Sequence, residues 1–249
     1  MPKQIGALPI QGELNNMSWY KSKDGIMVKM KSVVSREKLK SSRYAITQRN
    51  TAEFGLAGRA AKTLRRVVAP IILQGKDHRL ISRLAAKMLQ IAKKDLTSAH
   101  GERNAVMGPL EELKGFEFNG PIPIQHAFTP ELQQQIDRPS GKMTISIPAF
   151  NPQTAINGPD GATHFKIVSA GAEINFTKDE YTAQTFESVM FTMNQPVGAF
   201  NIDHVLSANS TLPLVLILGI QFIQDINGSN AMMSEGAHNA LGLIEINVP

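Results

Sequence analysis

Leu212 to Ile223 is the longest apolar run in the chain, and its centre, Leu214-Val215-Leu216-Ile217-Leu218, shows no alternation. Successive side chains of a strand point to opposite faces. A half-exposed strand therefore alternates, and a run apolar at every position predicts a central strand covered on both faces. Pro213, Gly219 and Gln221 interrupt the run. A bilayer span needs about 20 apolar residues, so a buried strand is the better reading and no membrane partner is expected.

The surrounding sequence has the same texture. After Gly115, Pro and Gly punctuate short β-rich runs at 143–148, 164–169, 173–176, 186–193, 214–224 and 241–248. Turn signals stand between them, at Asn157-Gly158-Pro159-Asp160-Gly161, Asn194-Gln195-Pro196 and Asn227-Gly228. This spacing predicts an immunoglobulin-like antiparallel β-sandwich over residues 115–249. Aromatic residues are only 6% of the chain, so the core is expected to rest on Ile, Leu, Val, Met and Ala.

Residues 1–114 read as a separate region. A small antiparallel meander is expected over 8–31, with turns at Asn15-Asn16 and Asp24-Gly25. On its last strand Ile26, Val28 and Met30 point one way, and Met27, Lys29 and Lys31 the other. A sheet of two or three short strands is marginal alone, so Trp19 and Tyr20 on the hairpin are candidate contacts with a partner surface. A short helix capped by Ser35 is expected next. A second begins at Asn50, with Glu53 in capping-box spacing, and ends at Pro70. Phe54, Ala57, Ala61, Leu64 and Val68 would share its apolar face. A third runs from Asp77 to Leu96, with Leu80, Ile81, Leu84, Met88 and Ile91 as its stripe, and a short one covers 102–113. The fold class is α+β: an N-terminal β-hairpin and basic helical region, then the sandwich.

The formal net charge of +5 conceals a polarity. Through Lys114 there are 22 Lys/Arg against 9 Asp/Glu, and from Gly115 onward 4 against 12. Such asymmetry predicts a polyanionic partner for the front or contact between copies. Arg59, Lys62, Arg65, Arg66, Arg79, Arg83 and Lys87 are the candidate assembly or polyanion contacts. The bland alternative is an acidic sandwich that neutralises its own basic helices. Nucleic acid is a third reading, weakened because neither helix carries stacking aromatics.

The chain has no cysteine, which excludes disulfides, thiolate metal sites and a cysteine nucleophile. With no apolar core behind the opening MPKQIGALPIQGEL, a cytoplasmic location is expected. None of the six histidines pair at i, i+4, and Gly-x-Ser-x-Gly, P-loop and Gly-x-Gly-x-x-Gly motifs are all missing. Asp225, Asn227 and Ser229 begin like a calcium loop. However, Asn230 stands where that loop needs glycine, and Gly236 where it needs glutamate. No catalytic residue, metal, cofactor or small-molecule substrate is expected.

Four blocks in order, GELNNMSWYKSKDG (12–25), TAEFGLAGRAAKTLRR (51–66), ATHFKIVSAGAEINF (162–176) and LSANSTLPLVLILGIQF (206–222), resemble a Bacteroidota family of domain-of-unknown-function proteins. The resemblance implies no activity and no catalytic residue. It departs at Met27 to Lys31, where an arginine-lysine ending to the hairpin is expected. The functional expectation is a non-enzymatic structural protein that self-assembles into a homo-oligomer, filament, tube or phage-like particle through its basic and acidic halves. The alternative is a nucleic-acid-binding protein that uses the basic helical face.

Overall fold

The computed structural model describes residues 11–23, 25–30, 36–71, 77–120, 122–233 and 238–249. Asp24, Lys31, Ser35 and residues 8–10 of the expected meander lie outside them. The chain divides into two compact units, Met1–Gln48 and Arg49–Pro249.

The first unit contains β1 (Gly12–Leu14), β2 (Met17–Ser22) and β3 (Gly25–Met30), paired in that order as an antiparallel sheet. Asn15 turns β1 into β2 at φ 53°, and Gly25 follows the second turn at φ 111°. Register pairs Met17 with Met30, Trp19 with Val28 and Lys21 with Ile26, so the apolar side chains share one face as the alternation requires. The short helix α1 (Arg36–Leu39) and a 3₁₀ turn at Ser42–Tyr44 follow. They lead into α2 (Ala45–Val68).

The second unit is layered. Helices α2 and α3 (Leu80–Ala92) cover one face of a six-stranded antiparallel sheet. A three-stranded antiparallel sheet covers its other face. The larger sheet is built on β6 (His164–Asn175) and β10 (Leu214–Ile226), flanked by β7 (Glu180–Glu187), β8 (Phe191–Thr192), β11 (Ser229–Met232) and β12 (Ala240–Asn247). The smaller has the order β4 (Gln133–Asp137), β5 (Lys142–Ile147), β9 (Phe200–Val205). Two one-turn helices, α4 (Ile124–Ala127) and α5 (Pro152–Ala155), lie in the connections.

The long apolar run is β10, buried from Leu214 through Ile223. Val215 and Ile217 face the helices, joining Val168, Ala170 and Ala172 of β6 and Leu64, Leu84 and Met88. Leu214, Leu216, Leu218, Ile220 and Phe222 face the smaller sheet, joining Met143, Ile145 and Ile202. One strand thus feeds two cores, which is why it carries no polar face. The few aromatics are concentrated in the second core. Phe128, Phe150, Phe165, Phe191 and Phe200 form a ring ladder with successive centroids 5.2 to 6.2 Å apart.

Several expectations are corrected. Asn50 caps nothing, because α2 starts at Ala45 and runs through it. Glu53 is 1% exposed and faces inward, which turns the neighbouring Phe54 out to solvent. Ile81 likewise sits beyond the edge of the α3 stripe and is exposed. The expected helix over 102–113 shrinks to a 3₁₀ turn at Leu110–Leu113. Asn104 there accepts from the Val106 and Met107 N–H groups, and Gly108 and Pro109 favour a turn over a helix.

Candidate functional site

The basic residues singled out by charge do not form one free surface. Arg83 on α3 pairs with Asp77, donates to the Glu117 carbonyl at 2.9 Å and lies over the Phe116 ring at 5.2 Å. Lys87, one turn on, is 3.8 Å from Glu112, which Lys94 also pairs with. Glu112 is held below its ordinary value chiefly by the Lys94 hydrogen bond. Arg79 is exposed at the start of the same helix. On α2, Arg66 reaches the Asp179 carbonyl at 3.4 Å and the Tyr181 ring at 5.4 Å, while Thr63 donates to the Asp179 carboxylate. Arg65 is half-buried; Arg59 and Lys62 are exposed. In the first unit Trp19 stands on the apolar face of β2, and Lys29 lies 5.3 Å over the Tyr20 ring.

Pairing continues throughout the second unit. Arg103 grips the inward carboxylate of Glu53 through Nε (2.7 Å) and Nη2 (2.9 Å), and the Gly101 N–H adds a third donor at 2.8 Å. These donors, the arginine first, hold Glu53 below its ordinary value against the opposing effect of burial. Lys114 meets Glu245, Lys142 meets Asp203 and Lys166 meets Glu187, all within 3.1 Å. Residues 49–249 hold 17 Lys/Arg against 18 Asp/Glu, whereas residues 1–48 hold nine against three. The positive excess of the chain therefore resides in the first unit.

Two groups have the chemistry of a site. Ser169 on β6 and His204 on β9 face each other between the sheets, Oγ to Nε2 at 2.9 Å. The serine is 0% exposed and the histidine 1%, and Oγ donates to the Ile217 carbonyl at 2.8 Å. Burial pushes the imidazole down to about 4, so it stays neutral at ordinary pH. The pair is sealed from any substrate, and its chemistry is that of a satisfied polar contact inside a core.

The other is Glu117. It borders a hollow of about 490 Å³ that opens where β12 and β4 part. Ile124, Phe128, Leu132, Leu243 and Ile244 give this hollow apolar walls. The carboxyl accepts from the Ile124 N–H, yet its Oε2 is buried without a hydrogen-bond partner. Burial pushes it up to about 7, against the pull of Arg83 and that N–H. It fits there because residue 242 is glycine: a Cβ would stand 2.9 Å from Oε2 and 2.7 Å from Ile124 Cγ2.

Glu117, His204 and Arg103 were not signalled by linear spacing, and Glu53 was signalled only as a capping-box partner of Asn50, because their contacts cross distant strands and loops. Asp95, expected inside the helix from Asp77 to Leu96, lies beyond it, since α3 ends at Ala92. Its Oδ1 accepts from the Thr97 N–H and hydroxyl and from the Ser98 N–H, a local side-chain turn that competes with the helix. Asp225 does not start a calcium loop. It lies on the β10–β11 hairpin and accepts from the Gly228 N–H at 2.7 Å, with Asn227 and Gly228 both at positive φ. Among the described residues no cluster of His, Asp and Glu is arranged to hold a metal, and no helix is long and apolar enough to cross a membrane. No protein-family model, curated protein or solved structure matches the chain.

Proposed function

We propose that this chain is a non-enzymatic structural subunit that associates with copies of itself in the cytoplasm, through the small N-terminal sheet. The observation that carries the reading is the apolar face of that sheet, where Leu14 is 59% exposed, Met17 40% and Met30 72%. Three adjacent apolar side chains on so small a sheet are surface that a second copy would bury. The charge of +6 on residues 1–48 against −1 on residues 49–249 disfavours pairing two such sheets and favours seating the sheet on the second unit of another copy. The two facing sheets of the second unit support an immunoglobulin-like sandwich as the body of the subunit. The four sequence blocks support membership of the Bacteroidota family. The resulting assembly is a homo-oligomer, filament, tube or phage-like particle.

Light scattering with negative-stain imaging tests this on the full chain. The expected result is a mass well above the 27.2 kDa of one chain, reduced toward it by Leu14→Lys with Met30→Lys. A monomer at all concentrations overturns the reading. Exposed Arg59, Lys62 and Arg79 favour nucleic acid as the second reading. That reading predicts DNA affinity falling steeply with salt, by roughly 0.9 log unit per log salt for each neutralised phosphate.

A further inference from the structure

The segment Gly115–Phe118 lies along the outer edge of β12. Three backbone hydrogen bonds hold it there: Gly115 N–H to Leu243 O (2.8 Å), Leu243 N–H to Phe116 O (2.9 Å) and Phe118 N–H to Leu241 O (2.7 Å). The Glu117 side chain is tucked under this strap, over Gly242 and beside α4, with one oxygen unpartnered. An unpartnered buried oxygen is tolerable on a neutral carboxyl and far more costly on an anion.

The charged groups around it do not remove that cost. From α3, Arg83 spends its guanidinium on Asp77 and on the Glu117 backbone carbonyl. At the start of the strap, Lys114 is paired with Glu245 of β12. From α4 the carboxyl receives a single N–H. The 490 Å³ hollow touches the strap at Gly115 and Glu117 and β12 at Leu243 and Ile244. Lifting the strap would both wet the carboxyl and widen the hollow.

We propose that the Gly115–Phe118 strap is a proton-held latch: the neutral Glu117 carboxyl keeps it seated on β12, and ionisation lets it lift and opens the hollow between β12 and β4. The sign follows from linkage. The lifted carboxyl titrates as an ordinary glutamate near 4.5 and the seated one near 7, so rising pH favours the lifted state. For those values the opening equilibrium grows roughly tenfold between pH 6 and pH 8.5.

Amide hydrogen exchange on the full chain tests it, read at Gly115, Phe118 and Leu243 and corrected for the intrinsic rate. Expected is a roughly tenfold loss of protection from pH 6 to pH 8.5 at these three amides, with the β10 amides of Val215 and Ile217 unchanged, and a flat profile in Glu117→Gln. Strap protection that does not change with pH in the native sequence overturns the proposal, whether or not the variant folds. So does a loss shared equally by β10, which would mean global unfolding. A Glu117→Gln profile as steep as the native one would assign the titration to another group.

Discussion

Gly171 of β6 is placed where no other residue fits: a Cβ there would stand 2.4 Å from Met143 Cε and 2.7 Å from His204 Cβ. Gly171→Ala is expected to lower stability by about 1–3 kcal/mol through overpacking, read as a shift in the urea midpoint at unchanged slope. His204 and Glu117 make opposed contributions to pH dependence. His204 titrates near 4 in the fold and near 6.5 when unfolded, so the unfolded chain binds more protons in that window and stability rises with pH across it. Glu117 titrates near 7 in the fold and 4.5 unfolded, so stability falls with pH from 4.5 to 7. Each is worth on the order of 2 kcal/mol once solvent screening is allowed for, and over the shared range they offset. Glu117→Gln should unmask a stability that climbs from pH 4 to 6.5. His204→Gln should unmask one that declines from 4.5 to 7. Parallel pH profiles for the two variants would refute the pairing of opposed groups.

At the scale of elements, what the sequence disclosed depended on whether an element's burial followed its own periodicity. β10 could be read because a strand between two cores has no polar face to hide the signal. The Asn227-Gly228 hairpin could be read because both positions adopt the positive φ that this dipeptide supplies. β4, as Gln133-Gln134-Gln135-Ile136-Asp137, could not, because it is an edge strand with little apolar content. β9 alternates properly, but its third inward position is His204, which breaks the apolar count. Arg138 shows what lies beyond periodicity altogether. Its guanidinium donates to the Ser210, Leu212 and Asn247 carbonyls and to Asn247 Oδ1. It thereby ties the segment entering β10 to the end of β12. Arg138→Ala should cost about 2–4 kcal/mol, since it strands partly buried carbonyls. Arg138→Lys should not restore the loss, because one ammonium cannot span the fork. Urea denaturation of the two variants compares them, and full recovery by lysine would show that charge alone suffices.

At the scale of the whole molecule, the charge polarity read from the sequence has been redistributed by folding. Arg83, Lys87, Lys94, Arg103 and Lys114 are all engaged by carboxylates of their own unit. What remains unbalanced is the first unit, at nine basic against three acidic residues. Among the described residues, both hydrophobic cores are built from Ala57 onward, so a chain beginning at Ala45, which keeps α2 whole, should retain its fold. It should also differ from the full chain in two measurable ways. Its net charge drops from +5 to −1, so retention on a cation exchanger at pH 7 and any salt-dependent affinity for DNA should vanish together. With the exposed Leu14, Met17 and Met30 gone, its mass in light scattering should be that of a monomer. The two readouts separate the rival readings. If mass falls to the monomer while DNA affinity was absent throughout, the small sheet acts between copies of the chain. If DNA affinity survives the truncation, exposed Arg59, Lys62 and Arg79 on the helices carry it, and the self-association reading gives way to a nucleic-acid surface.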